Sequence, residues 1–417
     1  MQKENKKTRI ASNTISLYAM NIAKMVLPLV TLPYLTRVMS KDCYGTVAYV
    51  KAVMQYMQLI VDFGFLVSGT RDIVKFKGDK RKLNETVSDI FFARIMLALG
   101  AGATLIVLTA FIHILKENFL YTVLSYIVVF MTCFLFDFFF RGIEQMQIIA
   151  IRFIVMKSIA AALTFVFVKS DQDLLWIPIL DIIGSFVAIV LIVVELKKRE
   201  VNLCLTSVKS VWGKIKESAV YFLSDFVTTA FNALNTLLIG IYIKTGDVAN
   251  WSICMQLVGA VQSLYTPITN GIYPEMIRSK NYNLIKKTIK IIMPIVSLGC
   301  IVTFFVAKYA LLIVGGKQYV DATPLLKCLI PVLFFSFPSM LYGWPTLGAI
   351  DKAKETTRTT VFTAGFQILG LIILIATHHF TLINIAILRG VTEFILFFTR
   401  YCYTKKFKDD FQLQKAS

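Results

Sequence analysis

Twelve apolar stretches run along the chain, separated by short charged or turn-rich segments. They cover residues 11–38, 44–67, 87–112, 119–140, 148–168, 175–196, 219–243, 249–273, 289–312, 323–347, 360–377 and 382–402. Most are close to the ~20 residues an α-helix needs to cross the hydrocarbon core of a bilayer. The pattern predicts an all-α integral membrane protein with about 12 transmembrane helices. The first stretch is longer than one crossing requires and holds Pro28 and Pro33, which predicts a kink or break there. The opening MQKENKKTR has the basic character of a signal-peptide start. The apolar run behind it is too long and lacks a small-residue cleavage site, so it predicts a retained first helix.

Loop charge gives the orientation. One alternating set of loops holds thirty Lys and Arg residues; the other holds six, Lys41, Lys116, Lys169, Lys244, Lys308 and Lys317. Cytoplasmic loops carry such an excess, so both termini are expected in the cytoplasm and the number of spans is even. The opposite loops are too short for an extracytoplasmic catalytic domain. The basic segment from Lys197 to Lys216 divides the chain near its middle. It predicts two six-helix halves, 1–200 and 201–417, which both start on the same side and so form a parallel repeat. The turn from Lys41 to Tyr49 (KDCYGTVAY) faintly echoes that from Lys244 to Trp251 (KTGDVANW).

Within the spans, polar residues fall in stripes. Lys51, Gln55, Gln58 and Asp62 follow steps of three and four residues, the period of one helical face. The first span carries Thr14, Asn21, Lys24, Pro28 and Thr31. The seventh carries Asp225, Thr228, Asn232 and Asn235, and the eighth Gln256, Gly259, Ser263, Thr266 and Asn270. A central charge in a lipid-facing helix costs about 2.5–3.5 kcal/mol on insertion scales. These stripes must therefore face protein or water, and they predict a central cavity lined by spans 1, 2, 7 and 8. Polar contacts between packed helices are the plainer alternative for any single residue.

Composition narrows the class. Apolar residues make up 57% of the chain and charged ones 17%, against about 45–50% and 25% in soluble domains. A large soluble enzyme and a disordered chain are both excluded. A net charge of +19 would suggest nucleic acid in a soluble protein. Here the cytoplasmic loops account for it, and no nucleic-acid partner is expected. Seven scattered cysteines without a CxxC pair and three histidines make neither a disulfide framework nor a metal site. The string from Gly315 to Gln318 lacks the spacing and the hydroxyl of a phosphate-binding loop, and no hydrolase motif occurs. No cofactor is implied, and the chain reads as a secondary transporter rather than an enzyme.

Lys24 and Lys51 have no local acidic partner in sequence, so they are candidates to hold an anion. Arg94 either snorkels toward the cytoplasm or joins them. Arg37 and Arg152, near span ends, read as interfacial. Arg389 and Glu393 can pair at i, i+4. Asp137, Lys157 and Asp181 are further charges inside spans. Asp62 and Asp225 are the candidate acids for ion coupling, with a salt bridge as the alternative.

Four strings carry a resemblance: LPYLTRV (Leu32 to Val38) leading to Tyr44-Gly45; Asp62-Phe63-Gly64-Phe65 with Thr70-Arg71; FFRGIEQM (Phe139 to Met146); and PITNGIYP (Pro267 to Pro274). Through them the chain resembles, over nearly its whole length, the O-antigen flippases of the Wzx type. These belong to the multidrug/oligosaccharidyl-lipid/polysaccharide exporter superfamily. One departure is Arg141, where the family more often has Gln before the Gly. The resemblance implies transport of a polyprenyl-diphosphate-linked oligosaccharide across the bacterial inner membrane. It also implies membrane lipids, an O-antigen polymerase and a chain-length regulator as partners. On it, Lys24, Lys51 and Arg94 would hold the diphosphate. Asn21, Gln55, Gln58, Asn232, Asn235, Gln256, Thr266 and Asn270 would line the glycan path, and the two halves would rock by alternating access. The rivals are a cation-coupled multidrug antiporter of the same superfamily, a glycan polymerase or ligase, and a lipid II flippase.

Overall fold

In a computed structural model of the chain, the backbone of residues 2–411 is described. Side chains are described from residue 13 onward, apart from residues 14, 224 and 227–232. The chain divides into two compact units, 1–233 and 234–417. All twelve apolar ranges lie mostly on helix, with interruptions inside 44–67, 119–140 and 323–347. Among the described residues, nine helical stretches are long and apolar enough to cross a membrane. A tenth forms if Lys317–Cys328 and Ile330–Ile350, bent by 48°, count as one span.

The first unit begins with α1 (Gln2–Val38), α2 (Lys41–Asp62), α3 (Phe65–Phe76) and α4 (Lys80–Phe111). It continues with α5 (Phe119–Met131), α6 (Asp137–Gly142), α7 (Met146–Phe167), α8 (Trp176–Lys198) and the first part of α9 (Val208–Tyr242). Pro28 and Pro33 sit inside a continuous α1, so of the expected kink or break there is no break. α1 packs on α7, α7 on α8, α5 on α2 and α8, and α4 on α2 and α3. Helix starts follow capping chemistry: Ser40 accepts from the Cys43 N–H, and Asp79 from the Lys82 N–H. That N–H holds the Asp79 carboxyl below the usual carboxylate range.

Two of the recognisable strings prove to be close approaches of backbone. After Asp62 the chain turns through Phe63 and Gly64, both left-handed, with φ of 39° and 74°. A Cβ on Gly64 would stand 2.6 Å from the Tyr221 Cβ and 2.8 Å from the Phe222 nitrogen. Glycine therefore lets α9 cross the α2–α3 turn, where Phe63 stacks on Phe222 at 4.3 Å. At Gly142, a Cβ would lie 2.5 Å from the Ile73 Cγ2, so α6 seats against α3. Phe139 and Phe140 beside it are buried in the unit's core.

The segment joining α8 to α9 is fastened to this unit. Lys80 pairs with Glu200, the Cys204 N–H donates to the Ser88 hydroxyl at 2.9 Å, Ser210 to Asp89 at 2.6 Å, and Lys214 pairs with Asp72 at 2.7 Å.

The second unit holds the rest of α9, α10 (Thr245–Ser279), α11 (Tyr282–Val314), α12 (Ile330–Leu341), α13 (Ala353–Ala376) and α14 (Leu382–Lys406). α12 packs on α11 and α14, and α13 on α14. Beyond α12 the helix widens around Pro345, and Gly343 takes a non-helical ψ of −118°. The carbonyl of Ser339 accepts from the buried Arg400 guanidinium at 2.7 Å. Arg400 also donates to Thr359 and Thr360, tying α12, α13 and α14 together. Arg389 and Glu393 pair at 3.3 Å on α14, as their spacing predicts.

Candidate functional site

Inside the first unit, α1, α2, α4, α6 and α7 enclose a cavity of about 430 Å³. Its polar wall holds Lys24, Gln58, Asp62, Arg94, Thr132, Asp137, Arg141 and Arg152. Apolar side chains, among them Met20, Phe65, Phe138, Phe153 and Met156, complete it. Four cations thus face two acids in a space of the size ordinary for a small-ligand site.

The acids are spoken for. Asp62 accepts from Arg94 at 2.8 Å, and Asp137 accepts from Arg152 at 2.8 and 2.9 Å. Gln58 donates to the Thr132 hydroxyl at 3.1 Å, against which Arg94 also leans at 3.4 Å. Both arginines are buried, 6% and 4% exposed. The Nε–H of each has no acceptor among the described residues. Buried donors left unmet are costly, and an anion entering the cavity is one way to meet them. Lys24 forms no ion pair among the described residues. Its ammonium lies over the Phe153 ring, 5.3 Å from the centroid, and the residue is exposed.

The structure therefore separates the two lysines that the sequence grouped. Lys24 belongs to this cavity together with Arg94. Lys51 is exposed and has the Lys157–Asp181 pair as its electrostatic neighbours instead. Asn21 and Gln55 are exposed on the same helices as Lys24 and Gln58. Asp225 is also exposed and feels the charge of Asp62. In the second unit, Thr266 and Asn270 stand on an open face of α10. Gln256 is half-buried and donates to Ser252 at 3.2 Å. Asn235 is 1% exposed and accepts from Gln367 at 3.0 Å, so its amide links α9 to α13. The side chain of Asn232, like those of Thr14 and Thr228, lies outside the described residues.

Arg152 corrects the sequence reading. It is not interfacial but buried in the cavity wall, because Asp137 on α6 neutralises it. Thr132 and Arg141 were not anticipated as lining. Thr132 lies where the fourth apolar range breaks and Arg141 on α6 just past its end, and an arginine with two acids nearby in otherwise apolar sequence was the available signal.

Among the described residues, the polar cavity is walled by helices apolar enough to cross a membrane. One solved structure, titled as the lipid II flippase MurJ in an inward closed conformation, superposes with a TM-score of 0.73. It covers 95% of this chain and 87% of that one at 13% identity, a likeness of fold. Two relatives named for O-antigen transport are similar in sequence. The one from Shigella dysenteriae is 26% identical over 66% of this chain and 69% of its own length. That from Escherichia coli (strain K12) is 25% identical over 85% and 87%. The model of the polysaccharide biosynthesis protein family matches residues 10–280, and the chain belongs to that family.

Proposed function

We propose that the protein is a flippase of the bacterial inner membrane that carries polyprenyl-diphosphate-linked O-antigen repeat units from the cytoplasmic to the periplasmic leaflet. The observation that carries this is the cation surplus of the cavity. A diphosphate is a compact multiple anion, and Lys and Arg bind it through charge-assisted hydrogen bonds. Lys24 and the unmet Nε–H groups of Arg94 and Arg152 are the donors offered. The exposed amides Asn21 and Gln55 and the α10 face with Thr266 and Asn270 suit a glycan's hydroxyls. The lipid tail stays among hydrocarbon. The names of the O-antigen transport relatives and the MurJ-like fold support the same substrate class.

In this reading the protein makes and breaks no covalent bond. Alternating access exposes the cavity to each side in turn. Twelve spans with both termini cytoplasmic belong to the same proposal, as do a periplasmic polymerase and a chain-length regulator as partners. A multidrug cation carrier needs acids at the deep site. Here both cavity acids are matched by arginine, and Lys24 adds an unmatched positive charge.

The test is the sidedness of the lipid-linked unit in a deletion strain. Impermeant glycosidase is applied to right-side-out and inverted vesicles. Units confined to the cytoplasmic face, with delivery restored by the wild-type gene and by Lys24→Arg but not by Lys24→Glu at equal protein level, support the proposal. Units that reach the periplasmic face unpolymerised assign translocation to another protein.

A further inference from the structure

Lys157 on α7 and Asp181 on α8 pair at 2.7 Å inside the spans, and each is only about a third exposed, 37% and 31%. Lys51 on α2 is exposed and lies within electrostatic reach of both. These three carry one surplus positive charge, and nothing in the cavity reading uses Lys157 or Asp181.

Helix geometry relates this group to the cavity. Phe153 and Lys157 are i, i+4 and share a face of α7; Phe153 lines the cavity beneath the Lys24 ammonium. Gln58, also in the cavity wall, and Lys51 are seven residues apart and share a face of α2. At about 1.5 Å per residue, the offsets are roughly 6 Å along α7 and 10 Å along α2. α2 and α7 are the second and fifth spans of an alternating series and so run in opposite directions, and both offsets point to the same side of the cavity. Gln55, exposed, lies on α2 between the two levels.

We propose that Lys51, Lys157 and Asp181 form a second phosphate-binding station, one level further along the path than the cavity. The proposal rests on the flippase reading and adds a step to it. A diphosphate leaving Lys24, Arg94 and Arg152 next meets Lys51. Lys157 then exchanges its carboxylate partner for a phosphate oxygen. Asp181 holds the Lys157 ammonium in place while the station is empty, and it competes with the anion, which keeps the second hold weak enough to release. The exchange is of ion pairs alone.

The probe is inorganic pyrophosphate, titrated calorimetrically into the full chain in detergent, with thermal melting to confirm folding. Wild type is expected to take up two pyrophosphates per chain. Lys157→Gln removes one and Lys24→Glu removes the other. Asp181→Asn, by freeing Lys157, tightens the second at least about tenfold, the scale of one charge-assisted bond. Lys51→Gln breaks no ion pair and weakens the same event if Lys157→Gln fails to fold. A single pyrophosphate per chain, lost with Lys24→Glu and untouched by Lys51→Gln and Lys157→Gln, overturns the second station and leaves the flippase reading standing. No uptake by wild type removes the anion reading and the station with it.

Discussion

At the scale of single residues, the cavity is organised by two arginine–carboxylate pairs. Arg94 is buried while Asp62 is half-exposed, so the pair holds a guanidinium inside the membrane-spanning region that would otherwise be uncompensated. Removing one member of a buried pair strands its partner. Asp62→Asn and Arg94→Met are each expected to lower the melting temperature in detergent. The double variant should regain about 1–3 kcal/mol over the sum of the singles; strict additivity would show that the two side chains do not couple. Lys24 was legible in sequence as an unmatched cation, and Arg94 as one of two alternatives. Arg152 was not legible, since its acid lies fifteen residues earlier on another helix. Only the fold of α6 against α7 brings the two together.

Elements follow the apolar pattern closely, and their joints do not. Each predicted range is mostly helical, since lipid leaves the backbone few partners but its own, though 44–67, 119–140 and 323–347 are each interrupted. The joints depend on glycine at points of contact invisible to hydropathy. Gly64→Ala meets both a φ of +74° and the Tyr221 Cβ, and Gly142→Ala meets Ile73. Each is expected to cost about 1–3 kcal/mol, as overpacking does, read as reduced melting temperature and faster proteolysis. Gly259→Ala, with nothing within 4 Å of its Cβ, is the matched control and should be near neutral. Loss of stability at Gly259 equal to that at Gly142 would sink the contact argument. In α12, the Arg400 guanidinium donates to the Ser339 carbonyl just before the widened turn at Gly343. Arg400→Met is expected to destabilise the α12–α13–α14 group, seen as hydrogen exchange rising first at residues 339–347. Sequence alone showed Arg400 only as part of the basic tail, because its acceptors sit on two other helices.

At the scale of the whole molecule, basic loops and short opposite loops predict that both ends face the cytoplasm. A fluorescent protein that folds only in the cytoplasm should fluoresce at the C-terminus and stay dark when inserted at residues 169–170, between α7 and α8. Fluorescence at both places would overturn the orientation. The polar stripes told where water or protein must be, but not which stripes meet, since that depends on packing between helices far apart in sequence. The sequence marks residues 197–216 as a basic segment near the midpoint, but not what that segment is attached to. Residues 199–216 are held to the first unit at four points, through Glu200, Cys204, Ser210 and Lys214. Between two of these points Leu205 is 94% exposed. An insertion there is closed on both sides by contacts it does not disturb, and loop length alone adds little cost. Such a site is a natural mount for a rigid imaging fiducial, which would give images of the protein a feature to align on and would travel with the cavity-bearing unit.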